Sequence, residues 1–332
     1  MKALVTGGGG FLGKAIVRLL RRQGTEVRSF SRSDYPELTS MGVEHLRGEL
    51  TDVEAVTRAA RDCDIVFHVA AKAGVWGPYQ EFYQANVVGT RNVIDACRAN
   101  GIRKLIFTSS PSVVFNGRDM EGVDESVPYP EHFEAFYPQT KAEAEQLVLA
   151  ANDAGLAAVA LRPHLIWGPE DNHLVPRILE GGRKKALRRI GRRPCLVDTI
   201  YIDNAATAHL QAAEHLDIGS PVAGKAYFLA QGEPLPVWTV VDRILAAGGL
   251  PPVTGTIPPR LAYAVGGILE KVHALLGLPG EPRMTRFVAR ELSTAHWFNL
   301  SAARRDFGYQ PHVSFETGMQ RLADWLQQQR ST

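Results

Sequence analysis

Three polar side chains stand where they can move a proton to or from a carbonyl oxygen. Tyr137 and Lys141 are four residues apart, which places them on one face of a helix that we expect to begin near Pro138. A phenol has an ordinary pKa near ~10, and an ammonium group one turn away stabilises the phenolate and lowers that pKa. The pair alone also arises by chance, so its position in the fold matters more than the match itself.

Ser110 is the third member of this predicted catalytic group. It follows the predicted strand Lys104–Thr108. Side chains at the carboxyl end of a parallel strand point into the ligand crevice, so a hydroxyl there can hydrogen-bond the oxygen of a ketone or alcohol. Ser112 is an alternative, because the two serines differ only in how they leave the strand.

A glycine-rich loop near the N-terminus predicts a dinucleotide site. Gly7, Gly10 and Gly13 follow the first predicted strand and open the first predicted helix. The first glycine permits a tight turn, the second lets the backbone approach a pyrophosphate, and the third lets helix and strand pack closely. A plain flexible turn is the alternative, but the order of strand, loop and helix favours the dinucleotide.

The end of the second predicted strand favours NADP(H) over NAD(H). About 20 positions beyond the glycines, NAD-preferring enzymes usually carry an acidic residue that binds the ribose. This chain has the neutral Ser31 there, followed by Arg32. A guanidinium can hold a 2′-phosphate with two hydrogen bonds. Alternatively, Arg32 is a solvated loop charge and Asp34 serves the ribose.

The elements that must position these groups alternate between short apolar strands and helices. This alternation indicates an α/β fold, a Rossmann-type doubly wound parallel sheet. The predicted strands are Ala3–Thr6, Glu26–Phe30, Glu44–Arg47, Ile65–Val69, Lys104–Thr108 and Ala157–Leu161. The predicted helices are Phe11–Arg22, Val53–Arg61, Asn86–Ala99 and Thr140–Ala154. We assign residues 1–165 and about 196–215 to a dinucleotide-binding domain, and about 166–195 and 216–332 to a smaller substrate domain.

Composition excludes several classes of protein. The 332 residues are 45% hydrophobic and 22% charged, which is ordinary for a globular protein and excludes disorder, collagen and a coiled coil. The net charge of +2 gives no reason to expect a nucleic-acid partner. Cys63, Cys97 and Cys195 lack metal-ligand spacing, so we expect no metal site. With no signal-peptide pattern and no apolar run of ~18–20 residues, we expect a cytoplasmic protein without a membrane span.

Several segments together carry a family resemblance. The chain resembles an extended short-chain dehydrogenase/reductase of the 3β-hydroxysteroid dehydrogenase family over nearly its whole length. The matching segments are Thr6–Gly13, His68–Ala71, Asn86–Thr90, Thr108–Phe115, Tyr137–Lys141, Arg162–Pro163, Trp167–Pro169, Tyr201–Asn204 and Ala303–Pro311.

The resemblance implies roles for individual residues. Tyr137 would be the proton donor or acceptor, Lys141 its activator and a ligand of the nicotinamide ribose, and Ser110 the residue that binds the substrate oxygen. Pro163 would lie near the nicotinamide. The other cofactor contacts that we expect are Phe11, Leu12, Ser31, Arg32, Glu49, Leu50, Ala70, Ala71 and Lys72.

The sequence signal for the substrate-binding residues is weaker than that for the catalytic and cofactor-binding residues. Trp76, Trp167, Ser112 and His164 are candidates beside the expected cleft. Core packing explains the two tryptophans equally well, and a structural hydrogen bond is the safer interpretation of His164. Arg162 and the basic cluster at 183–193 can bind a substrate carboxylate, but a run of charged residues usually lies on a solvent-exposed face.

An apolar stripe at 261–276 and two long helices are candidate surfaces for contact with a membrane or with a second copy of the chain. The stripe repeats at helical spacing, and we favour core packing for it over a roof above the substrate or a peripheral membrane contact. We also expect a homodimer through the predicted helices Asn86–Ala99 and Thr140–Ala154, by analogy with the fold.

We therefore expect an NADP(H)-dependent enzyme that interconverts a ketone and a secondary alcohol on a bulky apolar small molecule. Two branches of the resembled family act on sterol-4α-carboxylates and on alkyl keto acids, which carry a carboxyl group beside the reacting carbon. NADP preference favours reduction of a long-chain 2-alkyl-3-keto acid, with a 3β-hydroxysteroid or sterol-4α-carboxylate dehydrogenase as the alternative. A sugar-nucleotide epimerase and a non-catalytic NADP-binding regulator are further alternatives.

Overall fold

The computed structural model describes residues 1–331. Its strands are β1 Lys2–Thr6, β2 Glu26–Ser31, β3 Glu44–Arg47, β4 Ile65–His68, β5 Lys104–Thr108, β6 Met120–Val123, β7 Ala157–Pro163, β8 Ile166–Trp167, β9 Arg189–Ile190, β10 Leu196–Val197, β11 Ile200–Tyr201, β12 Ala226–Leu229, β13 Leu235–Pro236, β14 Thr256–Ile257 and β15 His296–Phe298.

The α-helices alternate with these strands in the first half of the chain. They are α1 Phe11–Arg22, α2 Pro36–Ser40, α3 Val53–Ala60, α4 Tyr79–Phe82, α5 Gly89–Ala99, α6 Phe136–Ala150, α7 Leu174–Arg183, α8 Ile202–His215, α9 Val237–Ala247, α10 Pro259–Leu276, α11 Arg286–Glu291, α12 Ser301–Phe307 and α13 Phe315–Ser331. A π-helical segment, Tyr83–Val88, joins α4 to α5, and a 3₁₀ turn, Pro111–Val114, follows β5.

Seven strands form one parallel sheet in the order β12-β7-β5-β4-β1-β2-β3. Its central strands are apolar on both faces, and every residue of β7 is buried, because helices cover both sides. The order reverses between β1 and β4, the position at which an open α/β sheet forms its ligand crevice. The predicted α/β fold with a doubly wound parallel sheet is confirmed.

The seventh strand was not predicted. β12 pairs with β7 at the edge of the sheet, although the sequence assigned everything from 216 onward to the substrate domain. It is only four residues long, and the βαβ pattern that marks the other strands has ended before it. Three smaller sheets lie apart from the main one: β13-β10-β15-β6, β11-β8 and β14-β9.

The apolar stripe of α10 points outward, so the core-packing interpretation is wrong. The side chains of its stripe that are exposed are Leu261, Val265, Ile268, Val272, Leu275 and Leu276. The buried face instead carries Ala262 and Gly266, and a Cβ atom on Gly266 would lie 2.7 Å from the carbonyl carbon of Thr285. Small residues therefore pack α10 against the start of α11, and the large apolar side chains face solvent.

Among residues 1–331, no helix combines the length and apolar character that crossing a bilayer requires.

Candidate active site

The glycine loop between β1 and α1 is shaped for a phosphate group. Gly7 has a φ of +73°, in the left-handed region that favours glycine, and its amide donates to the Phe30 carbonyl oxygen at 2.8 Å. A Cβ atom on Gly13 would overlap the carbonyl oxygen of Gly7. α1 begins after Gly10 without a side-chain cap or an acidic residue in its first turn, so its first N–H groups are available to an anion.

An unpartnered hydroxyl and a free guanidinium mark the end of β2. Ser31 Oγ is buried without a hydrogen-bond partner. The Arg32 side chain is exposed and forms no ion pair within residues 1–331. Asp34, the alternative ribose ligand, lies 3.5 Å from an Arg47 nitrogen, and exposed pairs of this kind contribute little to stability.

The loop after β4 packs against the glycine loop. A Cβ atom on Gly7 would lie 2.9 Å from the Ala70 Cα, and the Ala70 amide donates to Thr6 Oγ1 at 3.2 Å. His68 is buried between Thr6 and Thr90, with hydrogen bonds of 2.7 and 3.0 Å, so its role is structural. The remaining predicted cofactor contacts begin α1 or follow β3 and β4: Phe11, Leu12, Glu49, Leu50, Ala71 and Lys72.

Lys141 belongs to α6, and its buried side chain reaches the end of β5. Its side chain is 2% exposed, its Nζ donates to the Thr108 carbonyl oxygen at 2.6 Å, and it lies 3.9 Å from the centre of the Phe107 ring. Burial lowers the pKa of Lys141 to about 7, while the nearby Glu145 carboxylate acts to raise it. The lysine is therefore partly neutral near pH 7.

The pKa of Tyr137 moves opposite to the prediction. Burial raises it to about 12, with the Ser110 hydroxyl acting to lower it and the Glu291 carboxylate to raise it. The prediction that Lys141 lowers this pKa is wrong, because burial weakens the lysine charge and the amine is directed at a backbone carbonyl. Tyr137 is a neutral phenol at physiological pH, which makes it a proton donor.

The two candidate serines lie side by side. Ser110 follows β5 and its Oγ lies 2.9 Å from Ser112 Oγ, while the Ser112 amide donates to Ser110 Oγ at 3.3 Å. Both serines line the same cavity as Tyr137. The structure thus brings Ser110 and Tyr137 together from two separate elements, as the sequence predicted.

Asn86 is a site residue to which the sequence analysis gave no role. It lies in the π-helical segment, is 2% exposed, and its amide oxygen accepts from the Lys72 amide at 2.7 Å. Its Nδ2 donates to the Lys72 carbonyl oxygen and to Thr140 Oγ1 at 3.1 and 3.0 Å. Asn86 therefore ties the loop after β4 to α6, one residue before Lys141. The helix predicted from Asn86 begins earlier, at Tyr79, and π-helical turns are frequent at functional sites.

A cleft of about 190 Å³ opens beside Tyr137. Its apolar lining comprises Val75, Phe115, Met120, Leu165, Phe287 and Phe298. Its polar side chains are Ser110, Ser112, Tyr137, His164, Glu291 and His296. No lysine or arginine is found among the described residues that line it, so the cleft favours an apolar ligand with few polar groups.

The chain turns sharply where His164 enters the cleft. Pro163 ends β7, and Leu165 adopts a φ of +46°, which is uncommon for a residue with a Cβ atom. His164 Nδ1 lies 2.7 Å from the Asp198 carbonyl oxygen, and burial lowers the pKa of His164 to about 4. The expected structural hydrogen bond is present, and the same ring also lines the cleft.

Two other polar residues of the cleft were missed. His296 lies in β15, where burial lowers its pKa to about 3. Glu291 ends α11, and burial raises its pKa to about 7. No spacing in the sequence marks either residue, since both are more than 150 residues from Tyr137. Across residues 1–331, no three His, Cys, Asp or Glu side chains converge as metal ligands.

One residue outside the cleft fastens its edge. Glu281 lies between α10 and α11; one carboxylate oxygen accepts from the Val75 amide at 2.8 Å, and the other lies 3.2 Å from an Arg177 nitrogen. We call this contact the Glu281 clasp. Trp76, the neighbour of Val75, faces His273 of α10 with ring centres 6.3 Å apart and is not part of the cleft lining.

The structure corrects the substrate role of Trp167. This side chain is fully buried between Tyr201 and Phe315, each with its ring centre 5.3 Å away. Its Nε1 donates to Thr199 Oγ1 at 2.9 Å. Trp167 therefore belongs to the core, which was the alternative interpretation.

The structure also corrects the expected carboxylate ligands. Arg162 is buried and bound by both oxygens of Glu145, at 2.6 and 3.0 Å. In the basic cluster at 183–193, Arg189 and Arg193 each pair with an aspartate at 2.5 Å. None of these cations lines the cleft, so they do not meet a ligand there.

Comparisons with known proteins agree with this geometry. Residues 4–256 match the model of the 3-beta hydroxysteroid dehydrogenase/isomerase family. The chain is 55% identical over 324 residues to a protein of Stenotrophomonas maltophilia named 2-alkyl-3-oxoalkanoate reductase, covering 97% of this chain and 98% of that one. It is 33% identical over 325 residues to the decarboxylating sterol-4-alpha-carboxylate 3-dehydrogenase of Mus musculus, covering 96% and 89%.

A solved structure shows the same fold. The UDP-glucose 4-epimerase of Thermus thermophilus, in complex with NAD, superposes with a TM-score of 0.72 at 26% identity, covering 98% of this chain and 99% of that one.

Proposed function

Because this chain belongs to the 3-beta hydroxysteroid dehydrogenase/isomerase family, we propose that it is an NADP(H)-dependent reductase of long-chain 2-alkyl-3-oxoalkanoates. The family resemblance is confirmed, and the named relatives are dehydrogenases and reductases that act on alcohol or keto groups. The observation that carries the proposal is that Tyr137 and Ser110 line one largely apolar cleft, while the Lys141 amine lies at the end of β5, beside the Thr108 carbonyl oxygen. The 55% identity to a reductase of this substrate class supports the choice of substrate.

The glycine loop fits a dinucleotide, because its close approaches leave no room for side chains and its helix N-terminus is uncapped. A reduced nicotinamide, when bound, supplies a hydride to the carbonyl carbon. Tyr137 donates its proton to the carbonyl oxygen, so hydride and proton together convert the ketone to the alcohol. Its raised pKa keeps the phenol protonated and suits the reductive direction.

Ser110 and Lys141 support this proton transfer. Ser110 donates a hydrogen bond to the same carbonyl oxygen and holds it beside Tyr137. Lys141 would bind the nicotinamide ribose. Asn86 fixes the loop and helix that carry these groups.

We assign NADP(H) rather than NAD(H) to the dinucleotide site. The buried Ser31 hydroxyl lacks a partner and the Arg32 guanidinium is unpaired within residues 1–331, so both are available to a 2′-phosphate.

Substrate chain length tests the function. Reduction of 2-alkyl-3-oxoalkanoates is followed by NADPH absorbance, and kcat/KM should rise by up to about four-fold per methylene until the cleft is filled, since each buried methylene contributes ~0.8 kcal/mol. A matched 3-ketosteroid is the control. A flat or falling series contradicts the apolar substrate, and a steroid favoured by orders of magnitude makes the steroid dehydrogenase the function.

A homodimer through the outer faces of α5 and α6 accompanies this proposal. Phe136 is 44% exposed at the start of α6, with its ring centre 5.4 Å from that of Tyr79. Light scattering should give twice the chain mass, and Phe136→Glu should shift the protein toward the monomer. A wild-type monomer at micromolar concentration would remove the dimer.

The exposed face of α10 is proposed as a peripheral contact with an anionic membrane surface. Exposed basic residues lie at its start: Arg260 is the second residue of α10, and Arg192 follows Gly191, where a Cβ atom would lie 3.2 Å from the Pro259 ring. An apolar helix face beside basic residues favours such a surface. Ile268→Glu should abolish sedimentation with phosphatidylserine vesicles, whereas Val53→Glu, at an exposed apolar residue of α3, should not.

Residence in the cytoplasm is proposed as well. The three cysteines are free and buried, as in a reducing compartment.

A further inference from the structure

Two histidines of the cleft each present an unprotonated ring nitrogen. His164 and His296 are 8% and 5% exposed, and their ring centres are 6.0 Å apart. The carbonyl oxygen of Asp198 can only accept, so His164 Nδ1 carries the proton of their 2.7 Å hydrogen bond. In the neutral ring, His164 Nε2 therefore holds a lone pair.

His296 is fixed in the opposite tautomer. The single hydroxyl hydrogen of Thr294 goes to the Arg290 carbonyl oxygen, 2.8 Å away, because a carbonyl cannot donate. Thr294 Oγ1 consequently accepts from His296 Nε2 at 2.8 Å, and His296 Nδ1 holds the lone pair. Within residues 1–331, neither free nitrogen has a hydrogen-bond partner. We call these two residues the imidazole pair.

The charges around the imidazole pair are few and negative. Glu291 faces the cleft from α11. Asp119 acts on the pair from beside β6, but it is bound to Arg193 at 2.5 Å. Asp198 accepts backbone amides with its carboxylate at 2.8 and 3.3 Å, and Tyr137 is uncharged. No positive side chain faces the pair among the described residues of the cleft.

We propose that the imidazole pair is the subsite for the carboxyl group of the substrate, which binds there together with one proton. The inference rests on the proposed function, since it requires a substrate with a carboxyl group. It assigns that group to residues other than Arg162 and the basic cluster, which are paired elsewhere.

The substrate carboxylate and the neutral imidazoles can bind each other only if one proton is shared between them. A carboxylate and a neutral imidazole lone pair repel each other, but one proton between them makes a charge-assisted hydrogen bond. Burial disfavours a lone charge on either partner, whereas the pair is neutral overall. An alkyl group at the same place would leave both nitrogens desolvated and unpaired, which is unfavourable. The carboxyl carbon of a 3-oxo acid is two bonds from the reacting carbon, so it must lie in the cleft that also contains Ser110 and Tyr137.

Two substitutions can remove the free nitrogens and keep the structural hydrogen bonds. His164→Asn retains an N–H near the Nδ1 position for the Asp198 carbonyl oxygen. His296→Gln retains an N–H near the Nε2 position for Thr294. The control is Phe287→Leu, which trims the apolar lining of the same cleft. NADPH binding, measured by fluorescence, reports whether each variant is folded.

The substrates are a 2-alkyl-3-hydroxyalkanoic acid and the matching secondary alcohol with a methyl group in place of the carboxyl, both oxidised with NADP⁺. Each histidine substitution should lower the acid-to-alcohol ratio of kcat/KM by about 10-fold or more, mainly through KM for the acid. Phe287→Leu should reduce both substrates alike and leave the ratio unchanged. For the wild-type enzyme, KM for the acid should rise with pH while KM for the alcohol stays level.

The outcomes separate the two proposals. Turnover of both substrates with a ratio unchanged in both histidine variants overturns the imidazole pair as the carboxyl subsite and leaves the reductase intact. Turnover of neither substrate by the wild type overturns the proposed function, and the subsite with it. If a variant fails to bind NADPH, the wild-type pH series decides: parallel KM profiles for acid and alcohol overturn the subsite.

Discussion

Two regions in and beside the cleft differ in whether their buried polar groups have hydrogen-bond partners within the protein. One region, which we call the catalytic floor, consists of the proposed catalytic residues Ser110, Tyr137 and Lys141 together with Asn86, which hydrogen-bonds the neighbouring Thr140. Its buried groups are partnered within the protein, through the Thr108 carbonyl oxygen, the loop after β4 and α6. The other region, the upper wall, consists of the imidazole pair and Glu291, which line the cleft, and the imidazole pair has two ring nitrogens without a partner among residues 1–331.

The difference separates reaction from selection. The side chains of the catalytic floor already have hydrogen-bond partners within the protein. Their positions therefore do not depend on which substrate binds, as acid–base chemistry requires. A wall with unsatisfied nitrogens gains most from a ligand that supplies the missing partner, and loses when the ligand cannot. Changes to the floor should therefore affect all substrates alike, and changes to the wall should affect the choice among them.

The largest effect is expected at the floor. Tyr137→Phe removes the donated proton and should lower kcat by ~10²–10⁴-fold for acid and alcohol substrates alike, with NADPH binding retained. Steady-state kinetics on both substrates measure this change. A variant that keeps near-full kcat, or loses activity on one substrate only, contradicts the division.

The second prediction concerns the support of the floor. Glu145 lies one turn after Lys141 and is bound by Arg162 in a fully buried pair. Glu145→Gln leaves the guanidinium without its charge partner, so the free energy of unfolding should fall by ~3–5 kcal/mol in urea titrations. Glu180→Gln breaks an exposed pair with Lys184 and is the control, for which little or no change is expected. An equal fall in the free energy of unfolding for both variants would show that the buried pair contributes no more to stability than the exposed pair.

The third prediction uses pH. The pKa of Lys141 is lowered in the folded state to about 7, below its unfolded value near ~10.4, so the unfolded chain binds more protons between these values. Stability should therefore gain a contribution as pH rises from about 7 toward 10, up to ~1.4 kcal/mol per pH unit. Lys141→Met removes this contribution. Urea titrations at several pH values should show a smaller slope for the variant, and identical slopes would contradict the buried, partly neutral lysine.

The smallest predicted effect lies outside both sides of the cleft. Arg32→Ala should weaken NADPH binding by about 10- to 100-fold, the loss of one charge-assisted hydrogen bond, and leave NADH nearly unchanged. It should not alter the acid-to-alcohol ratio of kcat/KM. Titration of both cofactors measures the difference, and equal losses would remove Arg32 from the 2′-phosphate.

Most of the floor was predictable and most of the wall was not, since the sequence analysis missed Asn86 of the floor and named only His164 of the wall. Gly7, Ser110, Tyr137 and Lys141 follow strands or open helices whose periodicity is visible in the sequence, and parallel strands bring their carboxyl ends together. The wall depends on how distant segments pack: His296 comes from a three-residue strand and Glu291 from a six-residue helix.

Buried environments overturned two other expectations. Burial reversed the expected shift in the pKa of Tyr137, because spacing along a helix reports nearness but not solvation. The outward face of α10 was misassigned because Gly266 decides its seating, and a glycine carries little weight in a hydrophobic pattern.

The Glu281 clasp links the outside of the molecule to the mouth of the cleft. Glu281 follows the end of α10 by five residues, and its carboxylate holds Val75 at the cleft rim and Arg177 of α7 at once. Because Val75 also lines the cleft, this one carboxylate sets the spacing between three segments: the cleft lining at Val75, α7 and the connection from α10 to α11. A displacement of α7 or of that connection would therefore reach the cleft lining through a single side chain.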